Sequence, residues 1–401
     1  MHFDDWYKKQ VSLRWGSIRF ELDVPQELFS SHEVDSGSLL LLRTLDTLQL
    51  GERGRCLDYG CGYGVLGLAL KALRPEWDVV LVDRDALAVE FSDHNSARLD
   101  APVTSLGGLD PLDPKRTGYD LLLWNVPGKA GASVLAELMA DSLDVLASEG
   151  LLALVVVHPL AETLRVVAAK RAEFTIELDE RGPEHTLLHV RRVNGTPTPK
   201  PEAFERGVFD RETITIDHGE YSYGMTPVIG LPQYDGPNQP TLLMMDALSR
   251  MVQSPMTDII CIRPGVGHLP MAVASLWPAA TFTLADRDLL ALKASSRALY
   301  QHPGTSDRIA AEIAPDLSDV NVTGGAFDLA TIMLDHQMRA PVMNRLLDDL
   351  IRLSASGARL VFGGGSTEVS RMLAVARKRP ELKIRDREKR KGFSAMVIDS
   401  R

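Results

Sequence analysis

The sequence predicts two α/β domains in tandem, each a doubly wound, mostly parallel sheet flanked by helices. Three observations carry this expectation. Largely apolar runs such as 78–82 and 151–157 alternate with helical stretches, as in a parallel sheet buried on both faces. A strand over 55–58 runs through Gly60-Cys61-Gly62-Tyr63-Gly64 into a helix opening at about Val65. Finally, Asp83-Arg84-Asp85-Ala86-Leu87 returns 203 residues later as Asp286-Arg287-Asp288-Leu289-Leu290, and at the same offset Gly62-Tyr63-Gly64 returns as Gly265-Val266-Gly267. Self-similarity at one fixed period signals a duplicated fold.

The elements follow in order. Residues 1–30 mix aromatic and charged side chains with short strand pieces, among them 17–22. Ser36 and Ser38 are candidate N-caps for a helix continuing to about Leu50. After the glycine-loop strand come helix 65–73, strand 78–83, helix 86–98, strands 102–106 and 119–124, helix 131–147, strand 151–157 and helix 160–172. Strands 173–179 and 185–192, joined by Glu180-Arg181-Gly182-Pro183, form an antiparallel hairpin on the sheet edge. The proline-rich run 194–201 is a stiff linker. The expected layout is therefore a domain over 1–193, a linker over 194–206 and a second domain over 207–401. In that second part, 119–121 reappears as Phe327-Asp328-Leu329, and the pattern of 151–192 recurs at 357–399.

A chain of 401 residues can bury two cores, and its mean hydropathy of −0.05 is that of a globular protein. No apolar run approaches the ~20 residues of a membrane span, and the first residues lack the features of a signal peptide. Three cysteines cannot make a disulfide framework, so a cytoplasmic location is expected. Cys56 and Cys61 read as small buried residues, since no second pair at zinc spacing follows. The net charge of −10 is uneven: residues 1–195 hold 20 basic against 30 acidic residues, and the remainder holds 24 of each. Arg377, Lys378, Arg379, Lys383, Arg385, Arg387, Lys389, Arg390 and Lys391 crowd together near residue 401. Such a cluster is either a solvated edge or a phosphate-contacting patch.

Glycines at alternate positions of the loop remove the Cβ atoms that keep a ligand off the backbone, and the helix amides behind them face whatever binds there. Asp83, at the tip of the next strand, is placed to take the hydroxyls of a ribose. The spacing from Asp58 to Gly64, D-x-G-x-G-x-G, resembles motif I of the class I S-adenosyl-L-methionine (AdoMet) methyltransferases, and differs from the G-x-G-x-x-G of dinucleotide-binding folds. The resemblance favours AdoMet over NAD. In the second copy Cys261 stands at the place of Asp58, Arg263 at that of Gly60, and Pro264 precedes the loop. That copy reads as degenerate.

The strand over 119–124 ends in Asn125-Val126-Pro127-Gly128. This resembles the N-P-P-F/Y motif of AdoMet methyltransferases that act on exocyclic or amide nitrogens. The Asn side chain and the following carbonyl accept hydrogen bonds from a planar amine and hold its lone pair toward the methyl group. Asn125 and Pro127 match; Val126 replaces one proline, and Gly128 stands where an aromatic ring stacks on the base. Trp124 is the nearest aromatic substitute.

Taken whole, F-S-x-x-x-x-D-x-G-S-x-L-L-L (Phe29 to Leu42), the glycine loop, N-V-P and the tandem layout resemble the RsmC/RlmG group of rRNA guanine-N2 methyltransferases. That resemblance implies tandem Rossmann-like domains with mostly parallel seven-stranded sheets and an antiparallel edge hairpin, the second domain degenerate and serving to hold RNA. In that group the active copy is C-terminal, whereas here the intact one is N-terminal. By resemblance, Asp58, Gly60, Gly62 and Gly64 line the methionine end of the cofactor, Asp83 holds its ribose and Arg84 lies against its adenine. Phe29 closes over it and Asp110 contacts the adenine amine. Lys389, Arg390 and Lys391 form the RNA patch. Direct transfer needs no metal, and Asp335-His336 reads as solvated loop. The internal duplicate suggests a monomer with an internal pseudo-dimer. Two rivals stay open: methylation of a protein amide or small-molecule amine, and a non-catalytic RNA-binding protein.

Overall fold

The computed structural model describes every residue except 113–116, 199, 306, 321–326 and 337; Pro199 of the expected linker lies outside the described residues. Two compact units emerge. The first spans Tyr7–Phe209, and the second combines Asp210–Arg401 with Met1–Trp6.

In chain order the elements begin with α1 (Phe3–Trp6), which belongs to the second unit. The first unit follows: β1 (Tyr7–Trp15), β2 (Ile18–Pro25), α2 (Ser36–Leu45), β3 (Arg55–Tyr59), α3 (Val65–Leu73), β4 (Asp78–Asp83), α4 (Ala86–Arg98), β5 (Thr104–Gly107), β6 (Tyr119–Asn125), α5 (Ala132–Asp144), β7 (Leu146–Val157), α6 (His158–Ala169), β8 (Phe174–Arg181) and β9 (His185–Arg192). Its main sheet has the order β5-β4-β3-β6-β7-β9-β8. The pairs from β5 to β7 are parallel, and β9 pairs antiparallel with both β7 and β8.

The second unit continues with β10 (Ile214–His218), β11 (Tyr221–Met225), α7 (Gln239–Ser249), β12 (Asp258–Ile262), α8 (His268–Leu276), β13 (Thr281–Asp286), α9 (Leu289–Gln301), β14 (Ile309–Ile313), β15 (Phe327–Met333), α10 (Ala340–Leu353), β16 (Ser354–Gly365), α11 (Ser366–Ala376), β17 (Leu382–Arg390) and β18 (Phe393–Ser400). Its sheet order, β14-β13-β12-β15-β16-β18-β17, repeats the first. Each unit adds a two-stranded antiparallel hairpin, β1–β2 or β10–β11. The expected tandem architecture is what the chain adopts.

Burial follows the sequence pattern. β3, β4 and β6 bury almost every residue, because helices cover both faces of the parallel part. β8, at the edge, alternates buried or half-buried with exposed positions over its first half. Two details of the reading change. α2 stops at Leu45, five residues short of the expected end, and its N-cap is Asp35 rather than Ser36 or Ser38: the Asp35 carboxylate accepts the backbone N–H of Ser38 at 3.0 Å. The stretch around 200–206 packs as part of the first unit. Lys200 and Arg206 pair with the buried carboxylate of Asp141, and Lys200 joins Arg171 on that of Asp144, so the segment supplies cations to buried acids instead of running free in solvent.

Candidate active site

The site forms where β3, β4 and β6 end. Gly60, Gly62 and Gly64 all take positive φ, at 71°, 57° and 92°, which glycine adopts without a Cβ penalty. A Cβ on Gly60 or Gly62 would meet nothing within 4 Å, so both face open space, whereas one on Gly64 would press on Leu68. The loop is therefore open on its ligand side and packed behind. From α4, Ser92 Oγ donates to the Gly62 carbonyl at 2.9 Å and Asn95 Nδ2 to that of Tyr63 at 3.1 Å. Asn95 also takes the Asp23 amide at 2.8 Å, tying the β1–β2 hairpin to the same anchor.

The two acidic residues differ. Asp83 is half-buried; its Oδ2 accepts the Gly62 N–H at 2.9 Å and its Oδ1 that of Asp85 at 2.9 Å. Burial raises its pKa to about 6. Asp58 is 1% exposed and gives Oδ2 to the Gly67 N–H at 2.8 Å, which locks the first turn of α3 onto β3. Burial pushes it to about 7, against the lowering by that hydrogen bond. Gly67, unread in the sequence, is required here because a Cβ would collide with Leu81 Cδ2.

Arg84 is half-buried beside Asp83, and Phe29 is 78% exposed next to Ser30, whose φ is +55°. Asp110 is buried. Its Oδ1 accepts the Leu112 N–H at 2.9 Å and its Oδ2 that of Ala203, so it braces the 200–206 segment.

Asn125, at the end of β6, is held in one orientation. Its Nδ2 donates to Asp35 Oδ2 at 2.7 Å and to Ser38 Oγ at 3.0 Å. An ionised carboxylate only accepts, so the group facing Asp35 must be the NH2 and the carbonyl Oδ1 points the other way. Oδ1 accepts no hydrogen bond among the described residues. Gly37 is constrained by the same contact, since its Cβ would lie 2.8 Å from Asp35 Oδ2. Neither Asp35 nor Ser38 was singled out for this role; the F-S-x-x-x-x-D-x-G-S run was the available signal.

Pro127 and Gly128 are exposed. Trp124 does not substitute for a base-stacking ring: it is 1% exposed, its ring 5.3 Å from that of Tyr59 inside the unit. Strand alternation sends its side chain to the face opposite Asn125.

In the second unit Lys389, Arg390 and Lys391 are exposed where β17 turns into β18, and make no ion pair among the described residues. Arg379, Arg385 and Arg387 are engaged with Asp348, Asp399 and Ser370 respectively. Among the described residues no group of three or more His, Cys, Asp or Glu could hold a metal, and no helix is long and apolar enough to cross a membrane.

Residues 20–170 match the family model described as Methyltransferase small domain. That match lies within the first unit. The matched residues include the intact glycine loop, Asp83 and Asn125 together. The curated relatives include ribosomal RNA small subunit methyltransferase C of Photobacterium profundum, 35% identical over 32% of this chain and 36% of the relative, and that of Stutzerimonas stutzeri, 46% identical over 21% and 25%. The matches thus span less than half of the relatives' own length. The T. thermophilus 16S rRNA N2 methyltransferase RsmC, solved with AdoMet and guanosine, is 14% identical with a TM-score of 0.67, covering 98% of both chains. This likeness shows that the whole tandem fold is shared.

Proposed function

We propose that the protein is an AdoMet-dependent N-methyltransferase that methylates an exocyclic amine of guanine, N2, in rRNA, with the first unit catalytic and the second positioning the RNA. The observation that carries the reading is the fixed amide of Asn125 beside an open glycine loop. The partial matches to rRNA methyltransferases support the choice of substrate.

The residues present fit the cofactor: Gly60 and Gly62 leave room over the backbone, and Asp83 stands part-exposed at the strand tip to receive ribose hydroxyls. Bound there, AdoMet supplies an activated methyl group. Asn125 Oδ1 would accept one N–H of the flat amine and the Val126 carbonyl the other, which would leave the nitrogen lone pair free for the methyl that the cofactor supplies. Such an amine loses its proton only after attack has begun, so the chain needs orientation more than a strong base. Asp110 acts through the 200–206 segment, and Arg84 and Phe29 border the cofactor. Lys389, Arg390 and Lys391 meet RNA phosphates.

Asn125→Ala tests the reading. Transfer of labelled methyl to rRNA should be lost while S-adenosylhomocysteine affinity by calorimetry stays near wild type. Full transfer by the variant would end the role given to Asn125.

A further inference from the structure

Open α/β sheets hold ligands in the crevice outside the carboxyl ends of their strands, beside the point where strand order reverses. In the second unit that crevice lies over the ends of β12, β13 and β14, and Trp6 of α1 sits in it, 2% exposed. Its indole Nε1 donates to Asp316 Oδ1 at 2.8 Å, and the His2 backbone N–H to Asp316 Oδ2 at 3.0 Å. The Arg287 guanidinium lies 5.8 Å from the ring centroid. A cavity of about 40 Å³ remains beside the indole, room for water and not for a base.

The surroundings are not those of a tryptophan buried for its apolar area. A buried carboxylate takes its N–H, a cation lies against its ring, and a second carboxylate, Asp349, lines the same cavity with Oδ2 buried and lacking any hydrogen-bond partner among the described residues. An orphaned buried acceptor is costly and calls for a donor. Internal symmetry places these groups. Ala314 N donates to the Asp286 carbonyl as Gly108 N does to that of Asp83, so Asp316 occupies the position of Asp110 and Arg287 that of Arg84.

We propose that the second unit keeps a built site for planar heteroaromatic N–H donors, of the purine nucleoside class, and that Trp6 is its resident occupant. The indole gives its N–H to Asp316 and its face to Arg287, and thereby closes the crevice to free nucleosides. This does not depend on methyl transfer by the first unit.

The test is cavity complementation in the full chain. Trp6→Ala should lower the melting temperature of the second unit by on the order of 10 °C, as a large aromatic truncation does in a unit of this size. Indole should restore it saturably, and should leave the wild type unmoved. N-methylindole, lacking the donor, should bind at least tenfold more weakly. Adenosine should bind the variant and not the wild type. If Trp6→Ala fails to fold, refolding with indole is the same test: recovery supports the site and no recovery overturns it. A folded variant indifferent to indole, or one that takes N-methylindole equally well, overturns the role of the N–H; one that takes indole but refuses adenosine overturns the nucleoside class.

Discussion

Replacing Asp35 by alanine probes the active site through the residue that holds the Asn125 amide. Asp35 Oδ2 accepts from Asn125 Nδ2 at 2.7 Å and from the Ser38 N–H at 3.0 Å. Its removal has two separable effects. Loss of the N-cap of α2 costs about 1 kcal/mol, or roughly 2–4 °C in melting temperature. Loss of the charge-assisted hydrogen bond, about 1.5–3 kcal/mol, removes the bias that keeps the Asn125 carbonyl outward. At 1.36 kcal/mol per factor of ten, turnover should fall roughly 10- to 150-fold. S-adenosylhomocysteine affinity should stay near wild type, because the hydrogen bonds of Asp35 go to Asn125 and Ser38 and none to the glycine loop among the described residues. Asp35→Asn keeps an acceptor without the charge and should fall between the two. The assay is initial-rate transfer of labelled methyl at saturating cofactor, alongside thermal melts. An Asp35→Ala enzyme with wild-type turnover, measured beside an inactive Asn125→Ala, would refute the orienting role.

Three further outcomes are expected. Gly67→Ala forces a Cβ into Leu81 and against Asp58, so urea unfolding should show a loss of about 1–3 kcal/mol; unchanged stability would mean the contact relaxes. Asp58 has a folded pKa of about 7 against an ordinary 3.8, so the native state holds its proton where the unfolded chain has lost it. Its contribution is full below pH 3.8 and is lost as pH rises through 7. Asp58→Asn should therefore gain stability relative to the wild type from pH 4 to pH 7, and a flat difference across that range would rule the carboxylate out as the source. Neutralising Lys389, Arg390 and Lys391 should weaken RNA binding and make its logarithmic salt slope shallower by up to ~3, with an unchanged slope pointing to another substrate.

Legibility tracked distance along the chain. The glycine loop, the strand before it and Asp83 lie within 30 residues, so spacing alone exposed them. The duplication was readable because both copies keep the same short strings. Asp35, Ser92 and Asn95 were opaque as partners, since each reaches its contact across 30 to 90 residues; the run holding Asp35 stood out as a motif but did not say what Asp35 holds. The cap of α2 was misassigned because Asp35, Ser36 and Ser38 crowd the start of the helix, and only the geometry of the capping hydrogen bond decides among them. Trp124 failed as a stacking ring for a simpler reason: adjacent residues of a strand face opposite sides, so a neighbour of Asn125 cannot share its site.

The bond from Trp6 to Asp316 joins positions 310 apart in the chain. During synthesis the indole emerges early and its carboxylate partner comes out only after the whole first unit has been made. The second unit must therefore assemble around a visitor that has waited in solvent, closing a very long loop as a late docking event. A tag or fusion placed ahead of Met1 would load that event directly, and would show up as slow maturation of the second half while the first half folds on schedule.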